Sequence, residues 1–190
     1  MSATPAGKPT AALDEATRPT VRLGLSLTPA QQAAGTHLRQ IHDVFRAELT
    51  GLEARVGEVR RGEGSASDVR ESVSQLAAAL GAAGGTTLSQ HCAQLCRFVT
   101  MHHSLEDSAM FPALGAHARV KPVVDRLAEE HVVIHEHLEH VDALASRVDA
   151  DPDVLPDLEE AVGTFARVLR SHFTYEETEL AEPLGLLGIM

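Results

Sequence analysis

The chain has 190 residues, of which 44% are hydrophobic but only 3% aromatic, with no Trp and a single Tyr. That length forms one domain able to bury a core, and the shortage of aromatic residues suits helices packed on Ala, Leu and Val better than a sheet-rich fold. A formal net charge of −11 speaks against nucleic acid and anionic membrane surfaces as partners.

Residues 1–27 are rich in Ala, Thr, Pro and Gly without periodicity, which predicts a disordered or loosely docked N-terminal arm ahead of a helical domain over 28–190. The opening MSATPAGKPT has neither the basic start nor the apolar run of a signal peptide. No apolar run approaches the roughly 20 residues needed to span a bilayer. The two cysteines, Cys92 and Cys96, have neither zinc-ribbon nor thioredoxin-type spacing. They read as reduced, packed thiols, and a soluble cytoplasmic protein is the expectation.

The first helix is expected after Thr28, a good cap, with Pro29 at the first helical position, or else nearer Thr36. Its apolar seam runs Leu38, Phe45, Leu49, Leu52 and Val56, with His42 filling the slot before Phe45. Gly62 to Ser67 breaks the pattern, and Asp68 to Leu80 reads as a short extra helix before Gly81 and Gly84-Gly85. A second bundle helix is predicted from about Thr87 to Ala109. Its seam is Leu88, Cys92, Leu95, Val99, His102, Glu106 and Met110, and Pro112 should stop it within a turn or so. The third helix follows Lys121-Pro122 and runs to about Arg147, with Leu127, His131, Ile134, Leu138, Val141 and Ala145 on its seam. After the acidic linker Asp149 to Pro156, the last helix aligns Val162, Phe165, Leu169, His172, Glu176 and Leu180. The terminal LGLLGIM is expected to fold back over one end of the core. These elements make an all-α, four-helix bundle.

Eleven histidines raise the prospect of a metal site. Residues four apart on a helix point the same way, so His102 stacks on Glu106, and His172 on Glu176. A lone seam histidine such as His42 is ordinarily a satisfied core residue, and a single His-x3-Glu pair is commonly an ion pair. Two such pairs plus His42 and His131, each on the seam of its own helix, change that balance. Two carboxylates entering one core are costly unless paired, protonated or coordinated. Two cations bridged by Glu106 and Glu176, each taking two of the imidazoles of His42, His102, His131 and His172, resolve the cost. Open positions then remain for oxygen, peroxide or solvent. Carboxylate plus imidazole without thiolate suits iron or manganese.

The register separates neighbours. His103 lies about 100° round from His102 and reads as a bundle-edge residue or a partner of ligands. Asp107 and Glu177 read as solvated or as hydrogen-bonding partners of ligands. His37, His137 and His140 read as surface residues. His135, four residues after His131, is a possible further imidazole, and Tyr175 reads as a packing residue.

The residues resemble the hemerythrin-like, HHE cation-binding family. The match rests on IHDVFRAEL around His42, LCRFVTMHHSLEDSAMFPAL around His102 and Glu106, LAEEHVVIHEHL around His131, and SHFTYEETEL around His172 and Glu176. It covers about residues 36 to 182. The resemblance implies a four-helix bundle enclosing two non-haem iron ions (Fe2+/Fe3+) with carboxylate bridges and an oxo or hydroxo bridge. Oxygen-carrying hemerythrins have a His-x3-His pair on the third helix, which His131 and His135 reproduce. Their last helix carries Asp five residues after its His; here that offset falls on Glu177, whereas the His-x3-Glu spacing of other HHE proteins picks Glu176.

Three functions follow as expectations: oxygen binding for transport, storage or sensing; a di-iron oxidoreductase or peroxidase-like enzyme; and iron sensing or buffering. Oxygen, peroxide or another small oxidant is the expected partner.

Overall fold

The computed structural model describes residue 9 and residues 12–24, 26–63 and 88–188. The elements are α1 (Pro29–Arg61), α2 (Leu88–Leu105), a π turn (Glu106–Met110), α3 (Phe111–Gly115), α4 (Lys121–Val148) and α5 (Leu155–Leu187), with single 3-10 turns at Glu15–Thr17 and Pro152–Val154. No strand occurs among the described residues, and α1, α2, α4 and α5 are the four long helices of an all-α bundle. The expected short helix over Asp68 to Leu80 lies outside the described residues.

Local chemistry sets the ends of α1. The Thr28 amide donates to Gln31 Oε1 at 2.9 Å and the Gln31 amide reaches back to Thr28 Oγ1 at 3.4 Å. This capping box, with Pro29 in the first helical position, starts the helix there rather than at Thr36. At the other end the Gly62 amide donates to the Val59 carbonyl (3.1 Å) and the Glu63 amide to the Glu58 carbonyl (3.0 Å). Gly62 has φ +68°, the left-handed conformation that a Schellman stop requires and glycine adopts freely.

The second helical run passes its expected end near Ala109 but stops at Gly115, within a turn of Pro112, as the sequence suggested. The chain widens into the π turn, in which the Phe111 amide bonds the Glu106 carbonyl, and continues as α3 to Gly115. A proline inside a regular helix loses one backbone bond and crowds the carbonyl four residues earlier. Widening the preceding turn relieves that conflict, and it shifts the register by one residue. Phe111, not the expected Met110, is therefore buried after Glu106. At the C-terminus, Leu184 to Leu187 continue α5 rather than folding back, with Pro183 inside the helix; the last two residues of LGLLGIM lie outside the described residues.

The contacts divide the chain into two compact units. One holds residues 1–10, 47–99 and 136–166, and the other residues 11–46, 100–135 and 167–190. In the first, Leu49, Leu52, Val56, Leu95, Val99, Val141, Val162 and Phe165 are buried on the predicted seams, together with the free cysteines Cys92 and Cys96. Burial pushes the thiols up, Cys96 to about 12, so they remain neutral packing residues.

In the second unit, Leu38, Phe111, Leu114, Val124, Leu127, Leu180 and Leu184 form one apolar cluster that also takes in Val21 and Tyr175. Here α1 and α5 approach closely. A Cβ on Gly185 would lie 2.5 Å from the Gln31 carbonyl oxygen, and one on Gly35 would lie 3.0 Å from Ala181 Cβ. Of the N-terminal arm, residues 12–24 lie along α5, with the Val21 amide donating to Glu179 Oε2 (2.6 Å) and the Leu23 amide to Glu182 Oε2 (2.9 Å). Among the described residues no helix is long and apolar enough to cross a membrane.

Candidate metal centre

All six sequence-predicted ligands lie in the second unit, and the structure brings them together in two groups. His42 (α1), His102 (α2), Glu106 (π turn) and Glu176 (α5) form one, and His131 (α4) and His172 (α5) join His103 (α2) in the other. Within each group the donor atoms lie within 4.8 Å of one another. His42, His172 and Glu176 are fully buried.

Three imidazoles present Nδ1 to a carboxylate. His42 Nδ1 lies 2.9 Å from Glu177 Oε1, His131 Nδ1 2.9 Å from Asp107 Oδ1, and His172 Nδ1 3.1 Å from Glu130 Oε2. A carboxylate accepts, so each Nδ1 carries the proton and each Nε2 is left as a lone pair. Those Nε2 atoms turn inward. His131 Nε2 lies 3.2 Å from His172 Nε2, and His42 Nε2 lies 3.1 Å from His102 Nε2.

The carboxylates complete the arrangement. Glu106 places Oε1 3.1 Å from His102 Nε2 and Oε2 3.5 Å from His131 Nε2, one oxygen toward each histidine pair. Glu176 Oε2 lies 3.4 Å from His42 Nε2 and 3.8 Å from His172 Nε2. All four oxygens of Glu106 and Glu176 are buried without a hydrogen-bond partner, as is His103 Nε2. Buried acceptors facing buried lone pairs repel one another, and leaving such groups unsatisfied costs about 1–3 kcal/mol each, more for charged groups. Cations among them turn every one of these contacts favourable. The donor set therefore fits the two metals that the sequence suggested.

The electrostatics agree. Burial, reinforced by the neighbouring imidazoles, lowers His42 and His131 to about 2 and His102 to about 4. Burial also lowers His103 and His172, the latter despite its Glu130 partner. Neutral imidazoles are the metal-binding form. Burial raises Glu106, with Glu176 beside it adding to the effect, and it lifts Glu176 to about 8. Without a cation these carboxyls hold protons. Glu130 behaves oppositely: its burial would raise it, but hydrogen bonds from His172 and Arg18 outweigh that and hold it down to about 2.

Several residues depart from the sequence reading. His103 is no edge residue; it is 7% exposed and stacks on the His131 ring at 3.9 Å, the planes 10° apart. The positions three and four after Val99 both fall within a core-facing stripe, so the stripe takes His102 and His103 together. His135 is exposed and belongs to neither group. On α4 the buried spine is Leu127, Ile134 and Val141, with Glu130 and His131 flanking it, and His135 falls beyond that width. The same geometry buries His137, seven residues after Glu130, which had been read as a surface residue. His37 is exposed as expected. Asp107 and Glu177 are hydrogen-bonding partners of histidines, one of the two readings their register allowed. Glu130 was missed, although its place beside His131 on the apolar stripe was a usable signal.

Aromatic rings enclose the centre. Phe173 stacks on His42 with ring centroids 4.0 Å apart, and Phe111 on His131 at 5.2 Å. A cavity of about 350 Å3 reaches His102 and Glu106. It is lined by Ala34, His37, Leu38, Ile41, Leu105, Ala109, Met110 and Leu184, of which His37 and Leu105 are exposed.

A family model described as hemerythrin HHE cation binding domain matches residues 36–184. No curated protein and no solved structure matches the chain.

Proposed function

Because the chain belongs to the hemerythrin HHE cation-binding domain family, we propose that its centre is a carboxylate-bridged pair of non-haem iron ions that binds oxygen or a related small oxidant. The observation that carries this reading is an asymmetry. One group offers three imidazoles, from His103, His131 and His172, whereas the other offers only His42 and His102 beside Glu106 and Glu176. The apolar cavity reaches the group with fewer imidazoles, at His102 and Glu106. With Glu106 and Glu176 shared between the groups, that position would have four protein donors against five, and an arriving ligand would meet the one with more room.

Iron held there supplies a reversible one-electron change and Lewis acidity toward an oxygen-containing ligand. The chain supplies the rest. Glu177, Asp107 and Glu130 fix the tautomers of His42, His131 and His172. Phe173 and Phe111 cover the rings of His42 and His131, keeping bulk water off them. Glu106, with an oxygen toward each histidine pair, would hold both metals, and Glu176 rather than Glu177 would be the second carboxylate ligand, since Glu177 is taken up by His42 Nδ1. Manganese meets the same donor preferences.

The cavity is roughly ten times the volume of about 30 Å3 that one water occupies in the liquid, so it admits peroxide or larger oxidants as readily as oxygen. That favours a second reading, a di-iron oxidoreductase or peroxidase-like enzyme. Mixing the reduced, iron-loaded protein with oxygen separates the two. A stable absorbing species that reverses under vacuum supports binding and storage. Rapid, irreversible oxidation supports the enzyme. Metal analysis finding fewer than two iron or manganese ions per chain, with zinc in their place, would sink both.

A further inference from the structure

Ahead of the family-matched residues 36–184, the arm over residues 12–24 reaches the metal centre through Glu130. Arg18 forms a two-point ion pair with Glu130, Nε to Oε1 at 2.8 Å and Nη2 to Oε2 at 2.9 Å. That same Glu130 Oε2 accepts from His172 Nδ1. The Arg18 side chain is only 11% exposed and Glu130 1%, so the pair is held in one geometry and is hard to replace by solvent.

The arm is fastened on both sides of this contact. Arg18 Nη1 donates to Ser171 Oγ (3.0 Å), and Ser171 donates to Glu15 Oε1 (2.6 Å). The Arg18 guanidinium lies 4.7 Å above the Tyr175 ring, whose hydroxyl donates to the Pro19 carbonyl at 2.8 Å. Further along, Glu179 and Glu182 accept the amides of Val21 and Leu23. Ser171, Tyr175, Glu179 and Glu182 recur every three or four residues, so a single face of α5 receives the whole segment. It lies next to the face that carries His172 and Glu176. Arg126 also reaches Glu130, with Nε 3.2 Å from Oε1, and its Nη2 donates to the Asp14 carbonyl, so the arm and Glu130 share that residue too.

We propose that residues 14–23 are a positioning strap for the metal centre, in which Arg18 orients Glu130 and Glu130 orients His172, so that strap docking and metal binding strengthen each other. This rests on the metal-binding reading above. Removing the guanidinium frees Glu130 to turn, and the imidazole loses the partner that aims its Nε2. Because coupling between two binding events is reciprocal, the factor by which the strap tightens metal is the factor by which metal tightens the strap. Arg18 is a positioning residue and touches no metal.

The test uses the full chain and Co2+ alone, which does not oxidise during the measurement. Affinity is read by competition with a chelator, and strap docking by hydrogen exchange at the Val21 and Leu23 amides. The unaltered protein should bind two Co2+, with exchange at both amides slowed on loading. Arg18→Gln should weaken Co2+ by about 10-fold, less than the roughly 100-fold upper end for losing a ligand's own partner, and should abolish the metal-dependent slowing. Arg18→Lys keeps the charge without the fork and should fall between; it carries the test if Arg18→Gln does not fold. Lys121→Gln removes an exposed ion pair to Asp125, outside the strap and without touching Glu130, and should bind Co2+ normally. Unchanged Co2+ affinity in Arg18→Gln and Arg18→Lys, or strap exchange indifferent to Co2+, overturns the proposal while the metal reading stands. Failure of the unaltered protein to bind Co2+ overturns both.

Discussion

His131 and His172 come from different helices and bring their Nε2 atoms to 3.2 Å from each other while each gives its Nδ1 to a carboxylate. Both inward nitrogens are therefore lone pairs in a buried space, an arrangement that costs free energy unless a cation or a proton lies against them. Replacing His131 by Ala should remove one of two bound metals, and the loss should be read as stoichiometry in metal analysis.

Metal affinity should rise with pH. Binding requires Glu106 and Glu176 as carboxylates, yet burial holds both protonated above the ordinary range, Glu176 up to about 8. Each proton displaced adds up to one decade of apparent affinity per pH unit. The Co2+ dissociation constant should fall steadily from pH 6.5 to about 8. A flat profile over that range would contradict the protonated carboxyls.

The metal-free protein should show the opposite trend in stability. A carboxyl raised from 4.5 to about 8 in the folded state contributes stability that is present below the unfolded value and is lost as pH climbs toward 8. The depressed histidines act the other way, but only below their unfolded value of 6.5. From pH 6.5 to 8 the carboxyl effect stands alone, so the melting temperature of metal-free protein should fall across that window. Glu176→Gln should flatten the fall.

His103 and His135 make a matched pair for mutagenesis. His103→Ala should weaken metal in the three-histidine group about 10-fold or more, in line with loss of a ligand or its closest support. His135→Ala should leave both metals in place. Equal effects would mean that the exposed α4 histidine enters the site after all.

Gly185→Ala should destabilise the protein without changing its metal content. The added Cβ would meet the Gln31 carbonyl at 2.5 Å, backbone that cannot move aside like a flexible side chain. Overpacking of this kind costs about 1–3 kcal/mol, to be measured as a shift of the denaturation midpoint at constant slope.

Periodicity was enough to locate the helices and the six inward residues, because seven-residue recurrence of Leu, Val and Phe leaves His42, His131 and His172 on the same faces as their apolar neighbours. It failed where one angular step decides the outcome. His103 and Glu130 sit on the flank of a stripe whose width depends on the partners packed against it, and no single helix specifies that width. Phe111 was displaced from the expected position by a backbone event, although Pro112 marks it in the sequence. The carboxylates on Asp107 and Glu177 became assignable only once α4 and α1 supplied the imidazoles opposite them.

The π turn at Glu106–Met110 works as a clutch between two phases of one helical run. Upstream, α2 is timed by His102 and His103, with Glu106 opening the turn itself; downstream, α3 is timed by Phe111 and Leu114, both buried. Deleting Ser108 would restore an uninterrupted α-helix and turn everything beyond it by about 100°. The run could then keep its histidines in phase or its phenylalanine in phase, but not both. One surplus residue lets selection adjust the bridge and the core independently.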